Sequence, residues 1–183
     1  MKKIIKKLAA WTALVGLMIG ITACGKADAV KDDLYTYLNE MAEIQDLQKE
    51  AINEYNSYVT SEEADSQQLL TALNSSIIPK YESYLAELNA VTPATEDVQN
   101  VKAVCVDGAN KQMDALRKVA EAITACDTDI LNEADKLIVE AETIFADYES
   151  QLNVLANEHE ITLTNGGSDA IQENNSEDGV EAE

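Results

Sequence analysis

The side chains that most often carry chemistry are scarce in this chain of 183 residues, which contains one histidine and three cysteines. His159 is not preceded by the cysteine pair of a C-x-x-C-H haem site. Residue 156 is alanine, so the Glu-x-x-His pair of di-iron bundles is also missing. No serine or cysteine stands out as the nucleophile of a catalytic triad. We therefore expect no enzyme and no metal site, and we interpret His159 as an exposed residue in the last turn of a helix.

Cys105 and Cys126 would be candidates for a disulfide in an exported protein. They are 21 residues apart on one predicted helix, which separates them by about 31 Å along its axis. A disulfide needs Cα atoms within about 7 Å of each other. We therefore expect two reduced thiols, buried as small apolar side chains. The alternative is an intermolecular or redox role for Cys126.

Five of the seven tyrosines fall at one height of the predicted bundle, just below Pro79 and Gly108. The simpler interpretation is core packing, with the hydroxyls reaching partners at the rim. The alternative is a pocket opened by a kink at Pro79 and by the missing side chain at Gly108, where the hydroxyls would orient a small aromatic or cationic ligand. The five residues are Tyr35, Tyr37, Tyr81, Tyr84 and Tyr148.

Carboxylates collect at the opposite, distal end of the predicted bundle. Such residues usually cap helices and interact with the helix dipole. The alternative is a docking surface for a basic partner or for divalent cations, although no EF-hand spacing is present. The residues of this acidic patch are Glu62, Glu63, Asp65, Asp127 and Asp129.

The elements that must position these residues are helices, because the region between Ala27 and Asn165 contains only two prolines and one glycine. Apolar residues there follow a spacing of three and four, with Gln48 as the one polar member of the first stripe. Helix-start signals separate the stripes: a capping box at Thr60 and Glu63, a cap at Thr92-Pro93, and candidate caps at Asp127, Thr128 and Asp129. The predicted helices are 28–59, 62–91, 94–126 and 129–160.

Short connections make neighbouring helices antiparallel, so residues 28–160 are predicted to form an all-α, up-down four-helix bundle. The rival is one continuous extended coiled coil, which the three regular breaks argue against. Residues 161–183 contain six acids and no basic residue, which predicts a disordered acidic C-terminal tail.

The first 23 residues have the pattern of a secretory signal peptide: four lysines before position 8, an apolar run and small residues. The run of 14 residues is shorter than the roughly 20 that a spanning helix needs. Ile21-Thr22-Ala23-Cys24 resembles the bacterial lipobox. This resemblance implies that Cys24 becomes the mature N-terminus and carries a diacylglycerol and acyl chains such as palmitate, with 24–27 as a short linker. It places the protein on the extracytoplasmic face of the cell membrane.

The net charge of −21 becomes −25 after cleavage, because the signal peptide contains four lysines and no acid. A body of this charge is repelled by nucleic acid and by anionic lipid headgroups. The lipid anchor is therefore the predicted membrane partner, and no nucleic acid is expected.

The body is similar to a helical extracytoplasmic region of uncharacterised lipoproteins from Gram-positive bacteria. The matching residues are Ile78-Pro79-Lys80-Tyr81, Leu85, Leu88, Thr92-Pro93, Glu96-Asp97-Val98-Gln99, Gly108-Ala109 and Ala115-Leu116. The resemblance implies a helical lipoprotein and carries no activity with it. Two functions remain open: a non-enzymatic interaction or scaffold module that binds an envelope protein or a basic partner, and a lipoprotein that binds a small ligand or cation.

Overall fold

The computed structural model describes residues 17–20, 28–61, 63 and 65–165. Helix α1 is Ala29–Thr60, α3 is Glu96–Ala125 and α4 is Thr128–Glu158. Helix α2 is continuous and has three segments: α-helical Ser66–Ala72, π-helical Leu73–Ile77 and α-helical Ile78–Ala90. Two strands, β1 (Leu17–Gly20) and β2 (Thr162–Asn165), pair antiparallel.

The four helices form the predicted all-α, up-down bundle. Asp28 at the start of α1 contacts His159 at the end of α4, and Asp33 contacts the loop between α2 and α3. These contacts place the start of α1, the end of α2, the start of α3 and the end of α4 at one end, which we call the proximal end. The α1–α2 and α3–α4 connections lie at the other, the distal end.

Helices α3 and α4 approach each other most closely, because small residues line their contact. Gly108 faces the ring of Phe145, and a Cβ at position 108 would lie 3.0 Å from ring carbons Cδ1 and Cε1. Alanines 109, 115, 122, 134, 141 and 156 are also buried along these two helices. Side chains this small let the backbones come together, and glycine is required where the aromatic ring crosses the backbone.

The irregularity expected near Pro79 takes the form of the π-helical turn that directly precedes it. A π turn accommodates one extra residue, and the N–H of Ile78 accordingly donates to the carbonyl of Leu73, five residues back. The extra residue absorbs the break in the heptad pattern. As a result Leu73, Ile77, Tyr81 and Tyr84 all face the core despite their 4,4,3 spacing.

The capping box predicted at Thr60 and Glu63 is wrong, and α2 begins at Ser66 rather than at 62. Asp65 accepts a hydrogen bond from the backbone N–H of Gln68 at 2.9 Å, and the Gln68 side chain accepts one from the N–H of Asp65 at 3.1 Å. Thr60 instead ends α1, and its hydroxyl donates to the carbonyl of Asn56. Two capping patterns follow each other in the sequence, and only the second lies directly before the buried residues of α2.

The cap predicted at Thr92-Pro93 is also wrong, because α3 begins at Glu96 after Thr95, whose side chain makes no cap hydrogen bond. The loop is held instead by Asp33 of α1. Its carboxylate accepts hydrogen bonds from the backbone N–H groups of Ala94 (2.9 Å) and Thr95 (2.8 Å) and from the Thr95 hydroxyl (2.6 Å). By contrast, the first of the three cap candidates before α4 is confirmed: Asp127 accepts from the N–H groups of Asp129 and Ile130.

The chain leaves α4 through a left-handed residue, Glu160, with φ 57°. The N–H of Ile161 donates to the carbonyl of Ala156, and its side chain is buried. Strand β2 follows and pairs with β1, so that Leu17 lies opposite Asn165 and Gly20 opposite Thr162. Strand β1 belongs to the predicted signal peptide, and the predicted tail beyond residue 165 lies outside the described residues.

Candidate functional site

Four of the five predicted tyrosines meet inside the bundle. Tyr37, Tyr81, Tyr84 and Tyr148, which we call the tyrosine layer, are each almost fully buried. The hydroxyls of Tyr37 and Tyr148 are 3.1 Å apart, and the rings of Tyr81 and Tyr84 pack edge to face with centroids 5.4 Å apart. Tyr35 is only partly buried, and no hydrogen bond joins it to the other four among the described residues.

The thiol of Cys105 extends the tyrosine layer. Its sulfur lies 3.9 Å from the hydroxyl of Tyr84. Burial raises the pKa of Cys105 to about 12 and raises the pKa of Tyr37, Tyr84 and Tyr148 well above their ordinary values. These groups therefore remain neutral at physiological pH and act as hydrogen-bonding groups of the core.

A second polar cluster lies beside the tyrosine layer and joins α1, α2 and α3. The amide oxygen of Gln112 accepts one hydrogen bond from the hydroxyl of Tyr81 at 2.6 Å and another from the side-chain amide of Gln48 at 3.1 Å. Both glutamines are almost fully buried. The position of Gln48 in an otherwise apolar stripe was the sequence signal for this cluster, but its partner Gln112 carried no signal of its own.

The space beside Gly108, one side of the predicted pocket, is occupied by protein. The ring of Phe145 fills the position beside Gly108, and the hydroxyls of the tyrosine layer are directed at one another, at Cys105 and at Gln112. The burial of these four tyrosines agrees with core packing, but their hydroxyls bond to buried groups and not to partners at the rim.

The acidic patch at the distal end divides into local roles. Asp65 and Asp127 are N-caps of α2 and α4, and Asp129 lies in the first turn of α4. Glu63 lies in the exposed α1–α2 connection, and Glu62 is outside the described residues. Among the described residues, no group of three or more histidine, cysteine, aspartate and glutamate side chains is arranged to hold a metal ion.

Shallow grooves open beside these residues. One of about 390 Å³ lies between α1 and the start of α2 and includes Glu54, Tyr58 and Asp65. A neighbouring groove of about 400 Å³ includes Glu63 and shares Tyr58 and Gln68 with the first. A third, of about 280 Å³, lies between α3 and α4 at the proximal end.

The two cysteines of the bundle differ in their surroundings. Both are free, Cys105 is buried as predicted, and Cys126 is exposed, which makes its predicted burial wrong. Cys126 follows α3 in the left-handed conformation, with φ 52°. A residue at this position ends the helix and turns the chain, so its side chain lies outside the apolar stripe.

The prediction that His159 is exposed is likewise wrong, since only 21% of its side chain is accessible. Its Nδ1 lies 2.6 Å from Oδ2 of Asp28, while Oδ1 of the same carboxylate accepts from the N–H groups of Val30 and Lys31. The hydrogen bond with His159 lowers the pKa of Asp28. The up-down topology brings these two residues together across 131 positions of sequence.

A comparison with protein families establishes the family of the chain. The family model for the EMYY-motif containing lipoprotein matches residues 5–178. The chain belongs to this lipoprotein family. The letters EMYY do not occur consecutively in the sequence, whose only Glu-Met pair is Glu40-Met41. No curated protein and no solved structure matches the chain.

Membership of the family confirms the resemblance to a bacterial lipoprotein and supports an extracytoplasmic location. The match does not extend to the Gram-positive origin of the similar lipoproteins. Cys24 lies inside the matched residues but outside the described ones, so its lipidation also remains a prediction. None of the helices in the described part of the lipoprotein combines the length and apolar character needed to cross a membrane.

Proposed function

We propose that this lipoprotein is held at the extracytoplasmic face of the cell membrane by lipidated Cys24 and acts there, without catalysis, as an interaction module for an envelope protein. The outer face of α4 carries the proposal. Seven exposed residues on this face contain no charge, and we call them the neutral face: Val139, Thr143, Ala146, Ser150, Asn153, Val154 and Asn157.

The neutral face extends over about 27 Å at 1.5 Å per residue. It contains both large apolar residues that are conspicuously exposed among the described residues, Val139 at 60% and Val154 at 54%. Depletion of charge distinguishes the centre of a protein interface from the remaining surface. An uncharged stripe on a body of net charge −25 therefore supports a role in contacting another protein.

The outer face of α1 provides the contrast, because it has the ordinary solvated character of an acidic protein. Its exposed carboxylates repeat at helical spacing and belong to Asp32, Glu40, Glu43, Asp46 and Glu50. The outer faces of α1 and α4 thus differ in charge, although both helices bury a similar apolar stripe.

The closed interior supports the same proposal. With Phe145 beside Gly108 and with the hydroxyls of the tyrosine layer bonded to protein groups, recognition through the outer surface is favoured over a ligand held in the core. A second function based on a tyrosine-lined pocket gains no support from these contacts.

Photo-crosslinking in whole cells tests the interaction. Benzoylphenylalanine is placed singly at positions 139, 143 and 146 of α4 and at position 43 of α1. We expect a discrete protein adduct from the α4 positions, with a yield at least several-fold above that from position 43. Equal yields from both helices, or no protein adduct at any α4 position, would contradict the proposal.

The anchor is tested separately by the substitution Cys24→Ala. Lipidation requires the thiol, so this variant should lose labelling by radioactive palmitate and leave the lipid-anchored membrane fraction. Labelling that persists in Cys24→Ala would exclude Cys24 as the lipidated residue and leave the crosslinking result unaffected.

A further inference from the structure

The groove between α3 and α4 at the proximal end continues the neutral face inward. Its floor is apolar and is formed by Val101 and Leu155, both buried, beside the half-exposed Val154. Asp97 and Glu158 line the same groove, and both residues are exposed. The groove volume of about 280 Å³ lies below the range of about 300–1,000 Å³ usual for drug-sized ligands, and it suits a single long side chain.

The charges along the α3–α4 contact change sharply toward this groove. In its distal half, Lys118 pairs with Glu133 at 3.4 Å and Lys111 pairs with Glu140 at 3.0 Å. These pairs are one heptad apart on each helix. Every carboxylate of α4 at this register is therefore matched by a lysine of α3.

One and two heptads further toward the proximal end, the α3 residues are Val104 and Asp97, and the α4 residues are Asp147 and Val154. None of these four positions is a lysine or an arginine. Among the described residues, Asp97, Asp147 and Glu158 have no ion pair, and Asp147 accepts only from the Gln151 amide of its own helix. The groove thus combines an apolar floor with carboxylates that lack cations.

The geometry points to this groove as the docking site for a segment of a partner protein that carries a lysine or arginine among apolar residues. The aliphatic stem of the cationic side chain would lie along Val101 and Val154, and its charged head would reach Asp97 and Glu158. The inference rests on the proposed function and specifies the partner chemistry at one end of the neutral face.

The negative charge of the groove argues against three other occupants: the C-terminal segment, a second copy of the lipoprotein and anionic lipid. The C-terminal segment of the chain contains six acids and no basic residue after position 161, so the two carboxylates would repel it. A second copy of the lipoprotein presents the same acidic rim. Anionic lipid headgroups carry the same sign as Asp97 and Glu158, although the groove faces the membrane-anchored end.

The test places benzoylphenylalanine at Ser150, inside the groove, and at Thr143, one heptad away on the neutral face, in the full-length lipoprotein in cells. We expect an adduct from position 150 whose linked peptide contains lysine or arginine next to apolar residues. The double variant Asp97→Asn/Glu158→Gln should reduce the yield at position 150 by at least about tenfold, since charge-assisted hydrogen bonds are lost.

A matched variant controls for general electrostatics. Glu142→Gln/Glu149→Gln removes the same two charges from the opposite side of α4, where both side chains are exposed and outside the groove. Its adduct yield at position 150 should remain within about twofold of the parent. All these residues are exposed, and circular dichroism of each purified variant checks that the helices persist.

The outcomes separate the two proposals. Adducts at 143 but none at 150 would overturn the groove as a docking site and leave the interaction module standing. A lipid adduct at 150, a linked peptide without lysine or arginine, or equal losses in both double variants would overturn the proposed partner chemistry. Absence of protein adducts at every α4 position would overturn the proposed function itself.

Discussion

The two ends of the bundle are closed by different kinds of contact. At the proximal end, Asp33 of α1 holds the α2–α3 loop through three hydrogen bonds, and Asp28 pairs with His159 of the C-terminal region. At the distal end, Asp65 and Asp127 cap their own helices through residues two or three positions away. The proximal contacts join segments that are 62 and 131 positions apart.

This difference shows that similar residues have unequal structural roles. Each distal aspartate stabilises only the start of its own helix, whereas each proximal aspartate binds another segment of the bundle, and Asp28 caps α1 in addition. The end that follows Cys24 is therefore the end at which aspartates of α1 and its N-cap bind segments remote in sequence.

The largest effect should come from Asp33→Ala. The change removes the acceptor for the N–H groups of Ala94 and Thr95 and for the Thr95 hydroxyl. A hydrogen bond to a charged group contributes about 1.5–3 kcal/mol to stability. Because the site is only partly buried, we expect a loss of about 2–3 kcal/mol in the free energy of unfolding, measured by urea denaturation. Asp32→Ala on the exposed face of α1 is the control and should change it by less than about 0.5 kcal/mol.

Asp65→Ala tests the distal counterpart. It removes the capping box of α2, which should lower the free energy of unfolding by about 1 kcal/mol, the usual cost of a lost N-cap. The measurement is the same urea titration. A loss equal to or greater than that of Asp33→Ala would contradict the distinction between the two ends.

The left-handed residues that end α3 and α4 provide a pair of stabilising changes. Cys126 has φ 52° and Glu160 has φ 57°, and side chains are disfavoured in this region by about 1–2 kcal/mol. Glycine adopts it freely but also loses more entropy on folding. We therefore expect Cys126→Gly and Glu160→Gly each to raise the midpoint of thermal unfolding slightly, corresponding to about 0.5–1 kcal/mol. Alanine at either position is the control and should give no gain.

The smallest effect concerns the pair between Asp28 and His159. The pKa of Asp28 is lowered by this pair, so its stabilising contribution is present above the ordinary value of about 3.8 and is lost as pH falls through the lower folded value. His159→Gln should slightly lower the free energy of unfolding above about pH 4, where Asp28 is ionised, and leave it almost unchanged at the acid end, so that the dependence of stability on pH in this range becomes weaker. Unfolding curves between pH 2 and 5 provide the measurement.

Asp33 also has a lowered pKa, because the hydrogen bonds from Ala94 and Thr95 outweigh the opposing effect of burial. Replacing Asp33 as well should therefore remove more of the dependence of the free energy of unfolding on acid pH that remains in His159→Gln. If His159→Gln leaves the acid limb identical to that of the parent, the pair contributes nothing to the proximal closure.

Periodicity and helix-end signals were sufficient to predict the bundle, its four helices and a cap within residues 127–129. They failed at the start of α2, where a second local capping pattern, Asp65 with Gln68, follows the predicted one, and where the stabilising partner is remote in sequence. Thr92-Pro93 has the local chemistry of a cap, but the carboxylate of Asp33 on another helix holds that loop. His159 has the sequence context of an exposed terminal residue, and its partner, Asp28, lies at the other end of the chain.

The candidate surfaces were less predictable than the fold. The sequence brought five tyrosines to one height, and the structure packs four of them together with Cys105. Whether the space beside Gly108 was open depended on Phe145, which is 37 positions away and reaches Gly108 only through the register of α3 against α4. The uncharged residues of the neutral face can be identified in the sequence once it is known which side of α4 faces solvent.

The sequence by itself determined the elements and the class of protein. Heptad spacing sets which face of each helix is buried, and a basic, apolar and small-residue order followed by Cys24 sets the lipoprotein character. The tertiary structure decided which side chains meet, because contacts between helices depend on their register and closeness. That register places Phe145 against Gly108, joins Asp28 to His159, and leaves Asp97 and Glu158 beside an apolar groove with no ion pair to any described residue.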